Sequence, residues 1–257
     1  MPAGTQLPLG VHLRDAATLD AFEPGPNAAA LHWLHGALAA VGAATGDTTP
    51  PPPDDRTTTA SARGERGWFW GGAASGRSHL LAAACHAAVA SGLRSIYLDA
   101  EAIRAAPGAV LDGLERCRVV VLDDVDALAG DHDCEVALFD LCNRLQAAGS
   151  LLLTSAGASP LACGWRLPDL ASRFAAAAVF RLRPLDDEGR ARALRRRARL
   201  RGIDLDARTA GYILSRFERD PHALFALLDD LDEASLTAQR RVTVPFVRSL
   251  LAARQAS

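Results

Sequence analysis

Between Gly67 and Arg183, short apolar runs alternate with longer amphipathic or Ala/Leu-rich stretches. Residues 68–70, 95–98, 119–122, 151–154 and 179–182 are rich in aromatic, β-branched or leucine residues and too short for helices, so they read as strands. Residues 79–91 (HLLAAACHAAVAS) read as a helix closed by Gly92. Regular alternation of this kind predicts an α/β fold, a parallel sheet flanked by helices, with ligands at the carboxyl ends of the strands.

The pattern differs on either side. A tip at residues 1–13 precedes a predicted helix from about 27 to 41, and residues 42–67 are rich in Pro, Thr, Gly and Asp, with four consecutive prolines at 50–53. That segment is expected to be a disordered surface insertion. After Pro184 only helical patterns remain. Asp186 and Asp187 cap a helix to about Arg201, stopped by Gly202; Asp206 opens a second to about Phe217. Asp220-Pro221 starts a third to about Ala238, and residues 243–254 form a fourth. The expected domains are thus residues 14–184, carrying the sheet, and a small all-helical lid at 185–257.

Residues 68–81, WFWGGAASGRSHLL, place chemistry on this frame. Gly71, four residues, then Gly76-Arg77-Ser78 match the phosphate loop G-x-x-x-x-G-K-[ST] except that Arg77 stands where lysine is expected. Backbone N–H groups and the start of a helix surround phosphates in such a loop, and lysine adds a compact point charge near the β and γ phosphates. Arg77 is bulkier and planar. The chain has no lysine anywhere, yet a hydrolase dependent on that ammonium should keep its one lysine. Nucleotide binding with poor or absent hydrolysis in cis is therefore expected, with ADP favoured over ATP. Residues 119–122 then deliver Asp123 and Asp124, which would place a carboxylate beside a phosphate-bound Mg²⁺, with Ser78 as a second ligand.

At 257 residues and 49% hydrophobic, the chain can bury a sizeable core. A net charge of −2 excludes a broadly basic nucleic-acid coat. No apolar run is long enough for a membrane span and the N-terminus lacks a secretory pattern. Five cysteines without a C-x-x-C pair fit a reduced, cytoplasmic setting with thiols packed in the core. Nine arginines against three acids between 181 and 201 form either a solvated amphipathic helix or a basic face for DNA or an acidic partner.

Further motifs resemble those of AAA+ proteins of the DnaA/Hda group, the replication initiators and their regulatory inactivators. Asp20-Ala21-Phe22-Glu23-Pro24-Gly25-Pro26-Asn27 resembles the segment that covers the adenine in that group, which implies nucleotide contacts from Phe22, Gly25 and Asn27. Leu167-Pro168-Asp169-Leu170-Ala171-Ser172-Arg173-Phe174 is similar to the arginine-finger box, with Arg173 as the finger. Residues 184–251, including 197–202 and 236–247, are similar to the lid of Hda proteins, which also carry G-R-S in the phosphate loop. Gln6-Leu7-Pro8-Leu9 is similar to their sliding-clamp-binding peptide, with Gln6, Leu7 and Leu9 as contacts. His79 and Thr154 complete the implied nucleotide set. His222 stands where relatives set a lid sensor arginine, and Ala156 where an acidic residue is common, so the first sensor rests on Thr154 or Ser155.

The resemblance implies a negative regulator of chromosomal replication initiation. Its partners would be DnaA and the DNA polymerase III sliding clamp, with DNA reached through the clamp and no membrane partner; homo-oligomerisation stays open. Two other readings remain: an autonomous ATPase such as a helicase loader or clamp-loader-like motor, and a clamp-tethered scaffold needing no nucleotide. No room is left after the lid for a helix-turn-helix DNA-binding domain of the DnaA kind.

Overall fold

The computed structural model describes residues 17–43, 64–217, 227–228, 230–231 and 242–255. The tip residues Gln6, Leu7 and Leu9, the lid candidate His222 and most of the third expected lid helix lie outside the described residues. Among the described residues the chain divides into two compact units, one holding residues 17–19 and 26–184, the other 20–25 and 185–255.

In the first unit, β1 (Arg66–Trp70), β2 (Ser95–Asp99), β3 (Val119–Asp123), β4 (Leu151–Ala156) and β5 (Ala178–Arg181) form one sheet in the order β2-β3-β4-β1-β5. Every pairing is parallel. The flanking helices are α1 (Ala28–Ala43), α2 (Arg77–Ala90), the short α3 (Ala100–Ala105) and α4 (Pro107–Val110), α5 (His132–Ala148) and α6 (Pro168–Ala175). Central β3 and β4 are buried at every position, as a parallel sheet covered on both faces requires. Alternate residues serve the two faces. Trp68 joins Leu122, Leu138 and Phe174 on one side, while Phe69 stacks on Phe180 and packs near Trp33 on the other.

The expected insertion is narrower at both ends. Gly42 and Ala43 complete α1, Arg66 and Gly67 begin β1, and residues 44–63 lie outside the described ones. Gly67 extends the strand because a β-carbon there would sit 2.6 Å from the Trp33 ring, so glycine lets the indole lie on the backbone.

Helix α5 carries a clear helical period. Cys134, Leu138, Leu141, Cys142 and Leu145 fall on one buried stripe, the Asp131 side chain accepts the Cys134 N–H, and Gly149 ends the helix at φ 67°. Burial pushes the Cys142 thiol up to about 12, as befits a packed rather than reactive sulfur.

The second unit contains α7 (Asp187–Leu200), α8 (Ala207–Phe217) and α9 (Val244–Gln255). Asp186 accepts the Gly189 N–H at 2.7 Å and Asp206 the Thr209 N–H at 2.6 Å, the caps expected from the sequence. Leu194, Ala198, Ile213, Leu228 and Val247 share its core. Residues 20–25 were expected with the sheet domain but cluster with these helices instead. Glu23 lies 3.1 Å from Arg192 and 3.9 Å from Arg196, and a β-carbon on Gly25 (φ 43°) would meet Leu185 at 2.7 Å. The basic stretch is largely used within its own unit: Arg190 pairs with Asp187, Arg192 also with Glu188, and Arg195 donates to the Leu205 carbonyl. Among the described residues, no helix is long and apolar enough to cross a membrane.

Candidate functional site

The phosphate-loop motif forms the connection from the end of β1 to the start of α2. Gly71 N–H donates to the Ala156 carbonyl at 3.2 Å, tethering the loop to the end of β4. A β-carbon at Gly71 would lie 2.4 Å from the Leu182 carbonyl oxygen, so only glycine fits. Ala74 (φ 59°) and Gly76 (φ 89°) are left-handed, and Gly76 caps α2 without a side-chain acceptor. Such alternation turns successive N–H groups toward a common concavity suited to anions. Two buried side-chain donors agree with an anionic occupant: Ser75 Oγ and Arg77 Nη1 have no hydrogen-bond partner among the described residues. Ser78 is exposed and His79 half-buried, both in the first turn of α2.

Arg77 does not stand free in this loop. Its Nη2 lies 3.0 Å from Asp124 Oδ1, a charge contact without hydrogen-bond alignment, since that oxygen receives no aligned donor. Asp124 is itself left-handed at φ 52°, a conformation Asp tolerates better than most residues. Burial, followed by the adjacent Asp123 charge, pushes the Asp124 carboxyl up, and Arg77 opposes the shift. Asp126, two residues on, accepts the Gly157 N–H at 2.9 Å and so ties the loops after β3 and β4 together.

Asp123 is buried, and each of its carboxylate oxygens accepts one hydroxyl. Tyr97 donates to Oδ2 and Ser155 donates to Oδ1, while the Asp124 N–H donates to Ser155 Oγ at 2.9 Å. Burial and the Asp123 charge push the Tyr97 phenol strongly up, keeping it a proton donor. Thr154, expected in the nucleotide set, is not at this cluster: its hydroxyl is donated to the Gly67 carbonyl at 3.0 Å. Strand alternation sends Thr154 and Ser155 to opposite faces, and Ser155 is the one that reaches the carboxylate. Magnesium fits the donor set. Ser78 offers an exposed hydroxyl, and each Asp123 oxygen keeps a lone pair beyond the one its hydroxyl partner occupies, so hard oxygen ligands suited to Mg²⁺ are present.

Asn27 is likewise engaged elsewhere. Its side chain donates to the Arg183 carbonyl at 2.9 Å and accepts the Arg183 N–H at 2.8 Å, so both amide functions clasp the backbone beyond β5. Phe22 is buried within the second unit, and Gly25 makes the close approach to Leu185 described above.

Arg173 lies on α6, whose Leu170 and Phe174 are buried. Phe174 packs 4.9 Å from Trp68 and 5.4 Å from Trp165 between ring centroids. The guanidinium leans on α5, with Nη1 3.3 Å from Gln146 Oε1 and Cζ 5.9 Å from the Phe139 ring centre. Among the described residues it makes no ion pair with Asp169. Sequence reasoning missed Tyr97, because no motif encodes which residue of one strand reaches which of the next, and Asp126, because its partner Gly157 lies in the loop after a different strand.

The family described as Hda, lid domain, matches residues 187–251. An uncharacterized protein of Haemophilus influenzae is 40% identical over 185 residues, covering 72% of this chain and 80% of that protein. Domain III of the Thermotoga maritima replication initiation protein DnaA is similar in fold, with a TM-score of 0.65 at 20% identity over 93% of this chain and 96% of that one. AMPPCP-bound DnaA from Aquifex aeolicus gives 0.62 at 19% identity, covering 86% of this chain and 66% of that one. A Thermotoga maritima RuvB mutant gives 0.60 at 18% identity, covering 94% and 73%. A parallel sheet carrying a phosphate loop, an Hda lid after it and a relative matched across four-fifths of its length make this chain a member of the Hda-like, DnaA-related family of AAA+ proteins.

Proposed function

We propose that this protein is a negative regulator of replication initiation that acts on DnaA. Nucleotide-bound and docked through Gln6, Leu7 and Leu9 on the DNA-loaded sliding clamp, it presents Arg173 to the ATP held by DnaA and promotes its hydrolysis. The observation that carries this reading is the state of Arg173, a cation on an anchored helix with no carboxylate partner among the described residues. A guanidinium supplied in trans to a developing phosphoryl charge accelerates hydrolysis by about 10³ to 10⁵ in related nucleotide hydrolases, or roughly 4–7 kcal/mol.

The protein's own site serves to hold nucleotide. The loop at 71–78 surrounds the α and β phosphates of ADP with N–H groups, Ser75 and Arg77. Mg²⁺, held by Ser78 and through water by Asp123, would neutralise phosphate charge there. The contact between Arg77 and Asp124 supports weak hydrolysis in cis, because the loop cation and the nearby carboxylate engage each other. The same contact disfavours the motor reading. The work is placed in the cytoplasm, where DnaA and the clamp meet DNA.

The test is hydrolysis of DnaA-bound ATP on clamp-loaded DNA, with and without this protein. Faster hydrolysis only when clamp and protein are both present supports the proposal. Turnover of ATP by the protein alone, with no effect on DnaA, would favour an autonomous motor.

A further inference from the structure

Glu135 is wholly buried on α5, and its carboxylate is bonded to three backbone N–H groups. Oε1 accepts Gly130 N–H at 2.7 Å and Arg166 N–H at 3.1 Å, and Oε2 accepts Leu167 N–H at 2.7 Å. Gly130 belongs to the loop that follows Asp123 and Asp124, left-handed at φ 88°. Arg166 and Leu167 lead into α6, and Leu167 is the N-cap of that helix with no side-chain cap of its own. In an ordinary capping box, a side chain three residues into the helix reaches back to the N-cap N–H. Here a carboxylate from a different helix supplies that acceptor, and its negative charge also suits the N-terminal end of α6.

The far end of α6 is fixed by Phe174 between Trp68 and Trp165, and Trp165 Nε1 donates to the Pro160 carbonyl at 3.0 Å. Arg173 therefore hangs from a helix whose start is set by Glu135, and its tip rests on Gln146 and Phe139 of the same α5. One helix thus holds the root and the tip of the cation.

We propose that Glu135 is a positioning residue for Arg173, fixing where α6 begins and so where the guanidinium is presented; this rests on the function proposed for Arg173 above. Glu135 touches neither nucleotide nor partner. Its effect should fall on the maximal rate of stimulated hydrolysis rather than on the affinity of the encounter.

The experiment compares the parent, E135Q, R173A and E135Q/R173A in stimulation of DnaA-bound ATP hydrolysis on clamp-loaded DNA, over a range of protein concentrations. Glutamine keeps the shape but sets an N–H₂ group against one of the three N–H donors. E135Q should lower the maximal rate roughly 10- to 100-fold, the range that a misplacement of about 1 Å gives a positioned group, with the half-saturating concentration unchanged. The double variant should be no slower than R173A, because Glu135 acts through Arg173. Amide exchange of E135Q should speed up at 166–171 while β1 and β4 keep parental protection. A parental maximal rate in E135Q, a change in half-saturation alone, further loss in the double variant, or loss of protection throughout the sheet each overturns the proposal. Should R173A stimulate as the parent does, the function proposed for Arg173 fails and this inference with it; an inactive R173A beside a fully active E135Q overturns this inference alone.

Discussion

Arg77 Nη2 lies 3.0 Å from Asp124 Oδ1, so the cation of the phosphate loop is held by the carboxylate that follows β3. The arginine for lysine exchange read from the motif thereby acquires a physical meaning. A guanidinium reaches farther than an ammonium, and here one of its nitrogens is engaged by Asp124, which on the proposed reading makes it a poorer partner for a γ-phosphate.

ADP should consequently bind more tightly than ATP in titration calorimetry. Asp124→Asn should narrow the gap by up to about fivefold, since a half-exposed ion pair contributes only ~0.2–1 kcal/mol. Tighter ATP binding by the parent, with measurable turnover, would contradict the account of Arg77.

Gly71→Ala should weaken ADP binding by at least about tenfold, or ~1.4 kcal/mol, because its β-carbon would stand 2.4 Å from the Leu182 carbonyl and force the loop to move. The far-ultraviolet circular dichroism should stay near that of the parent. Parental affinity in this variant would mean that the loop does not hold the phosphates.

Glu135 gives stability a defined pH dependence. Burial pushes its carboxyl up, but the N–H groups of Gly130, Arg166 and Leu167 outweigh that and hold it below the usual 4.5. In the window between the depressed folded value and 4.5, the unfolded chain binds more protons, so stability falls as pH is lowered through it. Above 4.5 the contribution is fully present. Thermal melts of Glu135→Gln should show a shallower acid limb than the parent, and equal slopes below 4.5 would contradict the assignment.

Gln6→Ala combined with Leu7→Ala should abolish clamp association in surface plasmon resonance while leaving the melting temperature within about 1 °C, the outcome that a docking role rather than a folding one requires. Undiminished clamp binding would move the docking element elsewhere.

The five strands were legible because each is a short run of apolar residues, and the differences at their ends are small and explicable. β4 runs on to Ala156 although Ser155 is polar, since that hydroxyl is satisfied by Asp123 inside the sheet. Gly67 belongs to β1 because Trp33 covers it, which no local pattern reveals. In the candidate site, the turn was legible at Gly71 and Gly76, and the carboxylate pair ending β3 at Asp123 and Asp124. It was not legible where a side chain has long-range partners. Asn27 clasps Arg183 across 156 residues, Tyr97 reaches Asp123 from the next strand, and Glu135, one acidic residue among several at the start of α5, turns inward to three backbone amides.

The central claim is that Arg173 acts on a nucleotide held by DnaA. The measurement is single-turnover hydrolysis of DnaA-bound ATP on clamp-loaded DNA with Arg173→Ala, whose nucleotide and clamp binding should remain near parental because, among the described residues, its guanidinium leans on Gln146 and Phe139. Loss of most of the stimulation, by about 10³-fold or more where the finger is decisive, is the expected result. Stimulation equal to that of the parent would contradict the account.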